Sequence, residues 1–310
     1  MSVIMLFIDG VGLGDEVSDN PWFTLPTPHL NRLLGGESLT RSAVGRPTES
    51  TLLLETDATL GVAGLPQSAT GQATIFTGRN APAAMGRHLS GLPFRRLREW
   101  VKRDNVYLQF EGRGKRATFL NAYSEEYFNL PTTRRGWVSV STAAIQSARE
   151  PMRMMEDLLA GRAVYHDLTR RTLAGRRPDI TEISPEEAAH HTLATAWDYD
   201  LAVHEFFLSD LAGHRQDTEL IAWVVNTYDR FLGELIRQKR EEDVVVLVSD
   251  HGNSEDFRVK THTMNPVPTL IIGPSRLLDV IEPEGWDLTA IAPLLIRMAE
   301  GLNEVEGERE

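Results

Sequence analysis

Apolar residues fall along the chain in two kinds of pattern. Short runs that are apolar at nearly every position, Val3–Ile8, Leu201–Leu208, Val244–Val248 and Thr269–Ile272, predict strands covered on both faces, as in the middle of a parallel sheet. Between them, Leu30–Leu34, Thr70–Phe76, Pro185–Ala196, Glu219–Lys239 and Leu288–Glu300 space their apolar residues at helical intervals. The alternation predicts an α/β fold with a doubly wound, mostly parallel sheet. Lys115–Asn121 offers one more core strand. From 122 to 184 the rhythm is lost, so the expected layout is a core over 1–121 and 185–310 with a small inserted cap over 122–184. The acidic end EVEGERE, Glu304–Glu310, is expected to fray.

Composition narrows the chemistry. The 310 residues are 41% hydrophobic and include no cysteine, which leaves disulfides and thiolate ligands out and restricts any metal to oxygen and imidazole donors. No run approaches the apolar length of a membrane span. The first residues read as a strand rather than a secretory signal, so a cytoplasmic protein is expected. A net charge of −12 argues against nucleic acid as a partner. The charge is uneven: residues 91–190 hold 17 Lys and Arg against 13 Asp and Glu, the remainder 15 against 31. That basic excess is either a set of solvated helix faces or an anion-facing region.

The opening IMLFIDGVGLG, Ile4–Gly14, raises the first chemical question. Asp15 stands where the third glycine of a dinucleotide fingerprint belongs, so that reading is weak. Asp9 instead ends a buried strand, at the sheet edge where open α/β folds bind ligands; it is either a solvated turn residue or a metal ligand. Three other stretches bear on the choice. LAVHEFFLSDLAGH places Asp210 and His214 one helical turn apart, VVVLVSDHGNSED ends in Asp250 and His251, and His262 sits in THTMNPVPTL before another strand. Singly, each is commonplace. Together they make three aspartates and three histidines at strand ends, a set that suits two cations. The other six histidines have no such setting and read as structural. In GLPQSATGQATIFTGR, Ser68 stands at an expected helix start, either as an N-cap or as a nucleophile favoured by the helix dipole.

These segments resemble the alkaline phosphatase superfamily of dimetal phosphotransferases, and most closely its cofactor-independent phosphoglycerate mutases and phosphopentomutases. The corresponding stretches are Asp9-Gly10-Val11-Gly12, GLPQSATGQATIFTGR, Asp210-Leu-Ala-Gly-His214, DHGNSE from Asp250 and HTMNPVP from His262. The resemblance implies an alkaline phosphatase-like core with two divalent ions, Mn2+ or Zn2+ with Mg2+ as a further choice. Asp210, His214 and His262 would hold one, and Asp9, Asp250, His251 and the nucleophile the other. It places Ser68 on the nucleophilic serine, with Thr70 as the fallback. Gln67, Ala69 and Gln72 depart from the Asn, Glu and His that surround the mutase serine, and the cap is far shorter than a mutase cap. The segment Gly161–Arg171, which ends in YHDLTRR, looks like a mutase segment displaced along the chain. Arg134, Arg135, Arg170 and Arg171 are candidates for gripping substrate by charge alone.

The expected activity is therefore a metal-dependent phosphomonoester hydrolase or phosphotransferase working through a phosphoserine on a phosphorylated small molecule. The alternatives are a true phosphoglycerate mutase and a non-catalytic metal-binding member of the fold. The oligomeric state is left open.

Overall fold

The computed structural model describes residues 1–301; the acidic stretch Glu304–Glu310 lies outside the described residues. One seven-stranded sheet is built from β1 (Val3–Ile8), β2 (Gly45–Thr48), β3 (Thr51–Thr56), β4 (Ala117–Phe119), β5 (Leu201–Phe206), β6 (Val244–Val248) and β7 (Val267–Ile272), in the order β2-β3-β7-β6-β1-β5-β4. β1 runs parallel to both β5 and β6, and β4 parallel to β5. β7 is antiparallel to β6 and β3, and β2 to β3. Five strands thus point one way, with β2 and β7 reversed.

The central strand shows why its sequence is apolar throughout. Val3, Met5 and Phe7 point into one hydrophobic cluster, Ile4, Leu6 and Ile8 into the other. Each such side chain contributes roughly 1.5–3 kcal/mol by leaving water. Helices Ser68–Thr77, Arg95–Arg103, Val140–Ile145 and Ile291–Glu300 cover the first face; Pro28–Leu33, Pro185–Ala196, Leu208–Arg215 and Thr218–Gln238 cover the second. Among the described residues no helix is long and apolar enough to cross a membrane.

Two features depart from the sequence pattern. The hairpin β2–β3 was not signalled, because GRPT is a short, largely polar edge strand and carries Pro47, tolerated only where a strand lacks an outer neighbour. Within 122–184, Val140–Ile145 is buried at every position and belongs to the main core. Only a small separate cluster, Leu158, Ala163, Leu173 and Ile180, packs apart from it. The basic excess of the middle of the chain is largely solvated: Arg95, Arg96, Arg135, Arg149 and Arg176 are exposed.

Strand direction collects the chemistry. β1, β5 and β6 end at one edge, and β7, being reversed, begins there. The segment between β6 and β7, with Asp250, His251 and His262, therefore meets Asp9 from the end of β1 and Asp210 from the helix after β5.

Candidate metal centre

The structure brings all six proposed ligands together at that edge. His251 Nε2 lies 3.3 Å from Asp9 Oδ1 and 3.6 Å from Asp250 Oδ2. On the other side, His214 Nε2 is 3.4 Å from Asp210 Oδ2 and 3.1 Å from His262 Nε2, which is itself 3.8 Å from Asp210 Oδ1. Two overlapping groups result, Asp9–Asp250–His251 and Asp210–His251–His262, each with donor atoms within 4.8 Å of one another. The His251 and His262 rings stack with centroids 3.6 Å apart.

Backbone carbonyls fix the imidazoles. His251 Nδ1 faces Gly252 O at 3.3 Å, His262 Nδ1 faces Pro66 O at 2.7 Å and His214 Nδ1 faces Lys260 O at 2.7 Å. A carbonyl only accepts, so each Nδ1 carries the proton and each Nε2 turns a lone pair toward the cluster. This is the outer support that metal-binding histidines require. Burial holds His251 well below the usual histidine range and lowers His262 as well. Burial, and then the charges of Asp250, Asp210 and Glu205, push Asp9 well above the carboxylate range; burial and Asp210 do the same to Asp250. Asp9 Oδ1 and Asp250 Oδ2 are buried without a hydrogen-bond partner. Converging carboxylates and imidazole lone pairs fit divalent cations.

Close backbone approach makes this possible. Gly10 has φ +68°, and a Cβ there would stand 2.6 Å from Asp210 Oδ1; Gly10 thus makes room for a proposed ligand, whereas Gly12 and Gly14 make room for Glu255. A Cβ on Gly71 would meet Asp250 O at 2.8 Å, so only glycine lets the helix Ser68–Thr77 sit against the end of β6. Ser68 is that helix's first residue, and its Oγ lies 2.9 Å from His251 Nε2. Thr70 is fully buried; its Oγ1 accepts from Leu89 N at 3.1 Å and donates to Gln67 O at 3.3 Å. Gln72 Nε2 donates to Asp9 Oδ2 at 3.4 Å.

Among the described residues none of the four candidate arginines bonds or ion-pairs with the cluster. Arg170 donates to Leu158 O at 2.7 Å, Arg171 stacks over Trp223 at 5.0 Å, Arg134 bonds Asn129 at 3.0 Å and Arg135 is exposed. Charge alone was their only signal, and charge does not locate a side chain. Conversely, the sequence assigned nothing to Glu255, Asn253 or Glu205. Glu255 accepts from Gly12 N, Asn253 N, Thr263 Oγ1 and Asn265 Nδ2 at 2.5–2.9 Å. Asn253 Nδ2 donates to Asp210 Oδ1 at 2.6 Å. Both stand in DHGNSE, where a buried acid and amide between two ligands was the available sign.

Glu205, near the end of β5, is pushed up to about 7 by burial, partly opposed by the Ser141 hydroxyl that donates to its Oε2 at 2.5 Å. Its pKa is raised on folding, so its contribution to stability is complete below the ordinary carboxylate range and is lost as pH rises through about 7. Glu205→Gln is expected to remove that slope, recovering on the order of 1–3 kcal/mol at pH 8. Thermal melts of both proteins from pH 5 to 8 measure it, and parallel curves would show that Glu205 does not titrate in this window.

A mixed, mostly parallel α/β sheet with carboxylates and imidazoles gathered at its edge defines a metal-binding α/β protein. Residues 177–300 match the family model described as the Metalloenzyme superfamily; the chain carries a domain of this superfamily, alkaline phosphatase-like in fold. A 2,3-bisphosphoglycerate-independent phosphoglycerate mutase of Desulforudis audaxviator is 35% identical over 122 residues, 37% of this chain and 24% of the relative. A phosphopentomutase of Chromohalobacter salexigens is 34% identical over 88 residues, 28% of this chain and 21% of the relative. The matched stretches thus span about a quarter of these curated relatives or less. The solved alkaline phosphatase from the Antarctic bacterium TAB5 shares the fold at 14% identity, over 96% of this chain and 98% of that one, with a TM-score of 0.52.

Proposed function

We propose that the protein is a dimetal-dependent phosphoryl-transfer enzyme that cleaves phosphomonoesters of a small molecule through a phosphoserine on Ser68. The observation that carries this is Ser68 Oγ at 2.9 Å from His251 Nε2, on the residue shared by both ligand groups. Asp9, Asp250, His251 and Ser68 would hold one cation, and Asp210, His214 and His262 the other. When bound, the cations supply positive charge against the oxygens of the transferring group and favour the serine alkoxide. The chain's own residues orient the rest. Ser68 directs its oxygen at phosphorus from a helix N-terminus whose dipole favours anions. The bond to the ester oxygen breaks as the Ser68 bond forms, and water or a second hydroxyl then takes the phosphoryl group from Ser68.

Hydrolysis is favoured over mutase chemistry by two features of this chain. Ala69 carries no acid beside the nucleophile, and Gln72 is engaged with Asp9, so neither manages a proton for a returning acceptor. The reduced 122–184 segment also gives a retained intermediate less cover from water than a mutase needs. Supplying 3-phosphoglycerate with Mn2+ and following both 2-phosphoglycerate and free phosphate tests the choice. Slow phosphate release with little isomer is expected; rapid isomerisation without phosphate would make the protein a mutase.

A further inference from the structure

We propose that a cavity beside the metal centre seats the organic part of the substrate and selects a flat, apolar group carrying a protonated amine, its ammonium on Glu205. The inference rests on the phosphoryl-transfer reading above. The cavity, about 620 Å³ in volume, lies at the β4–β5 side of the same sheet edge, with Asn121 and Glu205 among its lining residues. Leu201 and Val203 share a hydrophobic cluster with Phe7, so strand alternation puts Glu205 on that face. Phe7 pairs with Glu205, and Asp9 stands two residues beyond Phe7 on the same face. The cavity therefore starts one strand away from a proposed ligand, on the side of the sheet that carries Ser68.

Its lining is aromatic in two groups. Tyr123 packs against Phe119 and Tyr127 with centroids 6.2 and 5.2 Å apart, and His166 packs against Tyr165 and Phe207 at 4.3 and 4.5 Å. The hydroxyls of Tyr123 and Tyr127 are engaged with Thr142 Oγ1, at 2.8 and 3.4 Å, which leaves their rings as apolar surface. Tyr165 and His166 are held in place by a strained turn. Buried Asp167 accepts from Arg170 N, Thr172 N and Thr172 Oγ1 at 2.6–2.7 Å, while Leu168 and Arg170 sit at φ +66° and +64°. Non-glycine residues rarely keep that conformation without a surrounding structure that demands it.

Glu205 decides the charge of the occupant. It is 9% exposed, its backbone is clamped by both ends of the Asn121 amide, and its carboxyl is bonded to the neutral Ser141. Among the described residues it has no ion-pair partner. Arg176 and Arg177 line the cavity but are exposed, where water screens them, and Arg177 is paired with Asp179 at 2.8 Å. Once ionised, a buried acid among aromatic rings favours an ammonium, through its charge and through the ring faces, and repels a carboxylate.

Tyramine and its acidic counterpart para-hydroxyphenylacetate are the probes, titrated calorimetrically into the full chain as purified, without phosphate. Tyramine is expected to bind at least about tenfold more tightly. Glu205→Gln should remove most of that gap. Phe207→Ala, at a 38% exposed side chain that folding tolerates more readily, should weaken tyramine severalfold. Equal binding of the two probes, a gap that survives Glu205→Gln, or an unchanged Phe207→Ala protein would each overturn the inference. A second arm follows phosphate release from the two O-phosphates with Mn2+. Turnover without preference for the amine sinks the cavity assignment alone; amine-selective binding with no turnover of any phosphomonoester sinks the phosphoryl-transfer reading instead.

Discussion

Ser68→Ala is expected to lower phosphomonoester turnover by at least about a thousandfold while both cations remain bound, because a nucleophile is lost and every carboxylate and imidazole of the cluster stays. Thr70→Ala should act in another way. The Thr70 hydroxyl, buried between Leu89 N and Gln67 O, ties down the helix start, so its removal should cost about 1–2 kcal/mol of stability and leave turnover within a few-fold. Hydrolysis of para-nitrophenyl phosphate, metal content by mass spectrometry and a denaturant melt on each variant separate the two roles. Loss of turnover in Thr70→Ala with Ser68→Ala active would make Thr70 the nucleophile.

Asp250→Asn is expected to change sign with metal. Asp250 is fully buried, Asp9 nearly so, and Asp210 acts on both through its charge. In protein stripped by chelation, replacing one carboxylate by an amide relieves repulsion between buried like charges, and should raise stability by about 1–3 kcal/mol, or roughly 2–6 °C in Tm. In protein loaded with Mn2+ or Zn2+, the same change removes a ligand, weakens the cation by at least about a hundredfold and lowers Tm below that of the loaded parent. Scanning calorimetry of four samples, each protein with and without metal, decides it. A variant less stable than the parent in both states would show that Asp250 serves packing rather than a cation.

What the sequence disclosed followed from local physics. VIMLFI and VVVLV are apolar at every position because both faces of β1 and β6 are covered, so their existence and extent could be read directly. Asp9, Asp210, Asp250, His251 and His262 were legible because strand ends at one edge must converge. The hairpin β2–β3 was not, since GRPT has neither alternation nor apolar character. Val140–Ile145 was hidden for the opposite reason: VSTAAI is small and partly polar, yet it is wholly buried because small side chains fit between Arg95–Arg103 and Ser68–Thr77. Glu205 was invisible in a run read only as a strand. Its importance arises from Asn121, Ser141 and the aromatic lining, which approach it from segments distant in sequence.

Glu255 binds donors from the β1 end and from the segment that links β6 to β7, and this bears on how quickly a cation can be captured. A site whose ligands sit on independently moving loops must close those loops as the ion arrives, and the closure entropy slows and weakens uptake. Here one buried carboxylate already fixes the relative positions of the chain segments that carry Asp9, Asp250, His251 and His262. Cation capture by the proposed ligands would then be an encounter with a preorganised cage, governed by shedding of the ion's hydration shell rather than by rearrangement of the chain.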